Sequence, residues 1–269
     1  MEKLFFLNGK SLESLPALRA LFYGEGVFES FRWKNGPPVF LSMHLKRMRA
    51  GADFLGIPFP SEDKVRLRIE EAAERAPGND LHIKACLLSE GEEVFYSSPR
   101  ASSLLVSVRP RVESPQTASL WVCGERRPPR NRLFSYKTLN YLGNVLGKRE
   151  AREKGFDEVL FLDTDGRVAE TSSHNVFWVK KKKLFTPSFE CPILPGVTRE
   201  IVLRAVEQLG YEVFCGSFSL DELLSSDYAF LTNAVAGVVY VSGVDGDAMP
   251  FAPKSYEVMR QSLLSEFGW

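Results

Sequence analysis

Residues 135–155 read SYKTLNYLGNVLGKREAREKG, and the fold turns on what Lys137 does there. The lysine stands among Tyr136, Leu139, Tyr141 and Leu142, where a helical pattern begins. Leu142, Val145 and Leu146 recur at helical spacing, which predicts a face turned to a core. Either the lysine stem runs out to water, or its amine is wanted inside.

Outward from this stretch the second half of the chain reads as strands and hairpins. VESPQTAS (112–119) is polar, contains a proline and reads as a linker. TASLWVCGE follows as a strand, RRPPRNR as a basic loop, and then the helix that ends at Gly155. EVLFLD and RVAE form a hairpin about Thr164-Asp165-Gly166. VFWV and LFTP form another about Lys180–Lys183, a run expected to be a solvated turn. One last helix is predicted in ILPGVTREIVLRAVEQLG (193–210). Ile201, Val202, Ala205, Val206 and Leu209 share its inner face, Thr198 is its N-cap and Gly210 its end.

The first third alternates strand and helix signals. GVFESFRW and PPVFL read as two strands joined through Asn35-Gly36. Leu41, Leu45, Met48, Ala52 and Leu55 mark a helix face closed by Gly56 and Pro58. A second helix starts near Ser61, with Val65, Ile69, Ala72 and Ala76 inward, and stops at Pro77-Gly78. LHIKACLL, EVFYSS and ASSLLVSVRP read as three strands. The expected architecture is mixed α/β in two parts, residues 1–115 and 116–269.

Composition narrows the class. The 269 residues are 44% hydrophobic and 25% charged, with 34 basic and 34 acidic side chains. A zero net charge argues against a nucleic-acid partner, which leaves a basic excess. Cys86, Cys123, Cys191 and Cys215 contain no CxxC, and His44, His82 and His174 are isolated, so no metal site is expected. The thiols read as reduced core residues of a cytoplasmic protein. MEKLFFLNGK carries a four-residue apolar run, too short for a signal peptide. Tyr228–Val244 is uncharged but broken by Thr232, Asn233, Ser242 and two glycines, which predicts buried strands about a turn and no membrane span.

Four features carry chemistry only in combination. A helix start at Gly196–Thr198 offers free N–H groups and a partial positive charge to a phosphate. Glu170, taken alone, reads as an exposed glutamate; held by Ser172, Ser173 and Asn175 it becomes a pocket carboxylate suited to a protonated ring nitrogen. Arg47, two residues from Leu45, taken alone points off the buried stripe, yet its planar fork suits phosphate. With an interior Lys137, these are the parts that pyridoxal 5'-phosphate needs: an amine for its aldehyde, donors for its phosphate and an acid for its pyridine nitrogen. Burial and a neighbouring cation would lower the lysine from its reference pKa of about 10.4.

At these residues the chain resembles the fold-type IV pyridoxal-phosphate enzymes. YGEGVFESFR, HLKRM, KTLN, EKGFDEVLFLDTDGRVAETSSHNVFWV, LFTP and ILPGVTR occur in the family's order across nearly the whole chain. The resemblance implies a two-domain α/β fold, with a smaller N-terminal α/β domain, a larger C-terminal barrel-like α/β domain and a homodimer. It implies Lys137 as the Schiff-base lysine, Glu170 as the pyridine-nitrogen partner and Arg47 as the phosphate arginine. It further implies Val197 and Thr198 as backbone phosphate donors, and Ala234 and Val235 as a second phosphate-contacting turn. KTLN followed by Tyr141, together with LTNAVAGVVYVSGVDG, resembles the aminodeoxychorismate lyases. That implies a small-molecule substrate cleaved to 4-aminobenzoate and pyruvate. A class IV aminotransferase acting on D-amino or branched-chain amino acids is the alternative. A non-catalytic binding module would have no need of both Lys137 and Glu170. One departure stands out: where the lyases and D-amino-acid enzymes show Arg-Gly after the LHIKACLL strand, this chain has SEGEE (89–93).

Overall fold

The computed structural model describes residues 5–7, 10–12, 18–92 and 94–269. Phe5–Leu7 (β1) pairs antiparallel with Lys10–Leu12 (β2), and Leu18–Tyr23 (α1) follows. Gly26–Lys34 (β3), Asp80–Glu90 (β4) and Ala101–Pro110 (β5) then form an antiparallel sheet in the order β3-β4-β5. Leu41–Leu55 (α2) and Glu62–Glu74 (α3) cover one of its faces. Alternation in β3 sends Val27, Phe31 and Trp33 into that layer, against Leu45, Met48, Val65 and Ile69. The last four are essentially fully buried, and such side chains contribute about 1.5–3 kcal/mol each. Gly56, at φ 68°, closes α2 in the left-handed conformation, and the Ser61 side chain caps α3.

Two strands expected in this region do not form. PPVFL lies between β3 and α2: its two prolines bring no N–H to a ladder, and the Leu41 N–H already bonds the Pro38 carbonyl as the helix begins. The strand partner of β3 is β4. Of EVFYSS, whose first residue lies outside the described residues, 94–98 fall in the β4–β5 connection, where Ser97 N–H turns back to the Val94 carbonyl and Arg19 donates to the carbonyls of Glu92 and Val94.

Residues 111–116 lead to a second, nine-stranded sheet. Thr117–Arg127 (β6), Leu142–Glu153 (α4), Glu158–Asp163 (β7), Val168–Thr171 (β8), Asn175–Lys180 (β9) and Lys183–Pro187 (β10) come first. Val197–Gln208 (α5), Glu212–Gly216 (β11), Leu220–Leu224 (α6), Tyr228–Asn233 (β12), Gly237–Val244 (β13), Asp247–Ala248 (β14) and Lys254–Glu266 (α7) complete it. Strand order is β11-β10-β9-β12-β13-β6-β7-β8, with β14 on β13. The two ends of this path approach each other, since Val168 N–H in β8 bonds the Phe218 carbonyl just beyond β11 at 2.9 Å. The sheet is therefore curled towards a barrel, around a core that includes Leu160, Val176, Trp178 and Leu231. The uncharged stretch 228–244 supplies β12 and β13, and among the described residues no helix is long and apolar enough to cross a membrane.

The helix that follows Lys137 packs the other way round from expectation. The buried face of α4 is Asn144, Gly147 and Ala151, whereas Leu142 is 66% and Leu146 52% exposed, with Val145 exposed beside them. Small residues explain the reversal. A Cβ on Gly147 would stand 2.7 Å from Phe161 Cζ, so α4 lies on β7 at backbone distance and its larger apolar residues are turned outward. Periodicity fixes the spacing of a stripe, not the side that is buried.

Three further differences are local. Gly196, not Thr198, is the N-cap of α5. The chain has a later helix, α7, whose Tyr256, Met259 and Leu263 pack at helical spacing on α5 and the sheet. Cys86, Cys123 and Cys191 are buried as expected, but Cys215 in β11 is exposed.

Candidate active site

The two sheets meet at Lys137. After a 3-10 turn at Arg132–Ser135, the chain runs back along β3. Phe28 N–H donates to the Lys137 carbonyl and Leu139 N–H to the Gly26 carbonyl, both at 2.9 Å. These bonds stitch residues 137–139 to the small sheet. The Lys137 side chain enters a cavity of about 140 Å³ lined from both sheets. Its nitrogen lies 4.5 Å from the centre of the Phe28 ring and 5.2 Å from that of Tyr141. Burial, reinforced by the Arg47 guanidinium, brings its pKa from 10.5 to about 8, against the opposing pull of Glu29 and Glu170.

Arg47 lines the same cavity and does not reach outward as its place on α2 predicts. The cause is Glu29, which the alternation of β3 puts beneath α2. This carboxylate is 0% exposed. It accepts from Arg47 Nε at 2.8 Å and Nη2 at 2.7 Å, and His44 Nδ1 lies 2.6 Å away. Burial pushes the Glu29 carboxyl up, yet Arg47 and His44 together hold it at about 2. Arg47 Nη1 also reaches across to the Pro195 carbonyl at 3.0 Å, beside the start of α5.

That helix start is shaped for an anion. The N–H groups of Val197, Thr198 and Arg199 precede the first intrahelical bond, from Glu200 N–H to the Gly196 carbonyl. Gly196, Val197 and Thr198 all line the cavity. A Cβ at Gly196 would sit 2.0 Å from Asn175 Oδ1, so only glycine leaves the turn and Asn175 in place together. Ala234 and Val235 line the cavity too. The Val235 N–H is taken up by Asn233 Oδ1 at 2.9 Å, so it is the turn itself, between β12 and β13, that faces the cavity.

Glu170, also in the cavity lining, is buried and held by three donors: Arg127 Nη1 at 3.1 Å, Asn175 Nδ2 at 3.3 Å and Leu194 N–H at 2.9 Å. Burial raises its pKa, while Arg127 and the Leu194 N–H oppose that rise. Of the side chains expected to hold it, Asn175 does. Ser172 instead donates to buried Glu158 at 2.6 Å, and the Ser173 hydroxyl lies 3.1 Å from His174 Nδ1. Arg127, which the sequence alone places in a basic loop, ends β6. Its guanidinium is stacked 3.6 Å from the centre of the Phe161 ring and donates to Asn144 of α4. Nothing in GERRPPRNR separates this arginine from its neighbours. Glu29 did leave a signal: a carboxylate between Val27 and Phe31 on an inward-facing strand edge requires a buried cation.

The donor set fits pyridoxal phosphate. Arg47, the start of α5, the buried Glu170 carboxylate and an amine of lowered pKa all line one cavity, with the rings of Phe28 and Tyr141 beside the amine. The sequence profile of the amino-transferase class IV family matches residues 26–244. An aminodeoxychorismate lyase of Bacillus subtilis (strain 168) is 30% identical over 250 residues, covering 88% of this chain and 85% of that protein. A D-alanine aminotransferase of Bacillus licheniformis is 27% identical, covering 99% and 98%. Among solved structures, a T.th. branched-chain amino acid aminotransferase with pyridoxamine 5'-phosphate superposes with TM-score 0.86 at 26% identity, covering 100% and 95%.

Proposed function

The chain belongs to the amino-transferase class IV family, and from that premise we infer an aminodeoxychorismate lyase that releases 4-aminobenzoate and pyruvate. It is a pyridoxal-phosphate enzyme. The observation that carries the reading is the cavity-lining Lys137 amine, poised near pKa 8 in the same cavity as Arg47 and Glu170. When bound, the cofactor supplies an aldehyde that takes up the substrate amine and a ring that accepts electrons.

The protein's own residues divide the remaining work. Arg47, the N–H groups of Val197 and Thr198, and the turn at Ala234–Val235 hold the phosphate. Glu170 keeps a proton on the pyridine nitrogen. Arg127 is a positioning residue that fixes the Glu170 carboxylate and favours its ionised form. Lys137 Nζ would take a proton from the substrate carbon and return it where the leaving fragment departs. The rings of Phe28 and Tyr141 lie beside that nitrogen and orient it.

The B. subtilis lyase supports cleavage of aminodeoxychorismate over transamination, as does KTLN followed directly by Tyr141. The transaminase reading rests on the likeness to the D-alanine and branched-chain enzymes, and the same cofactor groups would serve it. Product assay separates the two. The lyase releases equal amounts of 4-aminobenzoate and pyruvate from aminodeoxychorismate; no release, with turnover of D-alanine or leucine against 2-oxoglutarate, makes the protein a transaminase.

Residues 1–115 and 116–269 are proposed as two domains with this site between them, in a cytoplasmic homodimer. The outward stripe Leu142, Val145 and Leu146 supports a second copy as the partner of α4, because an apolar helix face of this kind gains by burial. Sedimentation of the wild-type protein is expected to give a dimer, and Leu146→Glu to weaken it at least about tenfold, the cost of burying an unpaired charge. A dimer of unchanged strength in the variant would place the interface elsewhere.

A further inference from the structure

The departure at the end of β4 leaves a question: with SEGEE in place of Arg-Gly, which group meets the substrate carboxylate? The other cations around the cavity are committed. Arg47 is paired with Glu29, Arg127 with Glu170, and Arg32 with Asp80. Lys84, on β4, makes no ion pair with any described carboxylate and is exposed. Its ammonium stands 4.5 Å from the centre of the Phe28 ring, as does that of Lys137. The two nitrogens are therefore no farther apart than twice that distance, and the charge of Lys84 is felt at Lys137.

Strand register places polar neighbours around it. Lys84 is opposite Ser30 on β3, and His82, two residues away on the same face, is opposite Arg109 on β5. The Ser30 hydroxyl, which lines the cavity, lies 2.6 Å from His82 Nε2; Arg109 Nη2 lies 2.9 Å from His82 Nδ1. Arg109, too, has no carboxylate partner among the described residues. Next to Phe28 and Ser30, which line the cavity, the small sheet thus carries positive charge that no described acid answers.

We propose that Lys84 is the carboxylate-binding group of this site, seating the carboxylate of an amine substrate beside Phe28 while the amine reaches Lys137. The substrate class is an amine whose carboxylate lies within the span between the two lysines. A lysine suits the task because its compact ammonium accepts carboxylates from several directions. The proposal rests on Lys137 meeting the substrate amine, but not on the choice of lyase over transaminase, since both act on carboxylated amines.

Calorimetry on the cofactor-loaded protein tests it with three probes: 4-aminobenzoate, 4-methylvalerate and the uncharged 4-aminobenzamide. Lys84→Met is expected to weaken the carboxylate that binds wild type best by about tenfold, the loss of one charge-assisted contact, and to leave the amide unchanged. Lys84→Arg should stay within about threefold. A wild-type protein that binds neither carboxylate, or a methionine variant that binds them as tightly as wild type, overturns the assignment. If wild type releases no 4-aminobenzoate while carboxylate binding still depends on Lys84, the lyase reading fails and this one stands.

Discussion

Lys137→Ala is expected to abolish turnover, by about a thousandfold or more, because in the function proposed one nitrogen serves as both nucleophile and proton carrier. The variant should still fold and take up pyridoxal phosphate through Arg47 and the start of α5, but borohydride should fix no cofactor to it, as read by mass spectrometry. Retained activity, or an adduct on another lysine, would remove position 137 from the chemistry. Wild type should also respond to pH in a way a surface lysine would not. The amine attacks only when neutral; with a pKa of about 8 half of it is neutral at that pH, against about 0.4% for an ordinary lysine. Capture of pyridoxal phosphate by cofactor-free protein should therefore accelerate as pH rises towards 8 and level off above it.

Glu170→Gln should be nearly as damaging. Glutamine keeps the shape but cannot carry the negative charge proposed to hold a proton on the ring nitrogen, and turnover should fall by about a hundredfold or more. The same change leaves the Arg127 guanidinium buried among Phe161, Phe134 and Asn144 without its counter-charge. Breaking a buried pair from one side costs about 3–5 kcal/mol, so the melting temperature should drop as well. A variant with wild-type turnover and unchanged melting would show that the carboxylate neither touches the ring nor anchors Arg127.

The parts of the site legible in the sequence are those written in short, ordered motifs. Lys137 in KTLN, Glu170 in RVAE and the Gly196–Thr198 turn each stand at a local change from strand to helix or turn, and local patterns announce such places. Arg127 is not legible, because its meaning lies in a carboxylate 43 residues away. Arg47 points the wrong way when read from its helix position for a similar reason: Glu29, on a neighbouring strand, draws it inward. The fold shows the same division. Helices with one broad apolar face, α2 and α5, stand out in the sequence, whereas α4, which buries Gly147 and Ala151, reads inside out. PPVFL and EVFYSS are apolar enough for strands, but prolines and a tight reversal withhold the backbone groups a ladder needs.

The stitching of residues 137–139 to β3 ties the reactive nitrogen to the three-stranded sheet, even though the covalent chain on either side runs into the nine-stranded one. The amine is thus a tenant of the smaller structure. Gentle warming that loosens β3 from α2 would carry Lys137 out of alignment with Glu170 while the curled sheet stays intact. The enzyme would then fall silent below the temperature at which most of its ellipticity disappears, and cooling would restore it.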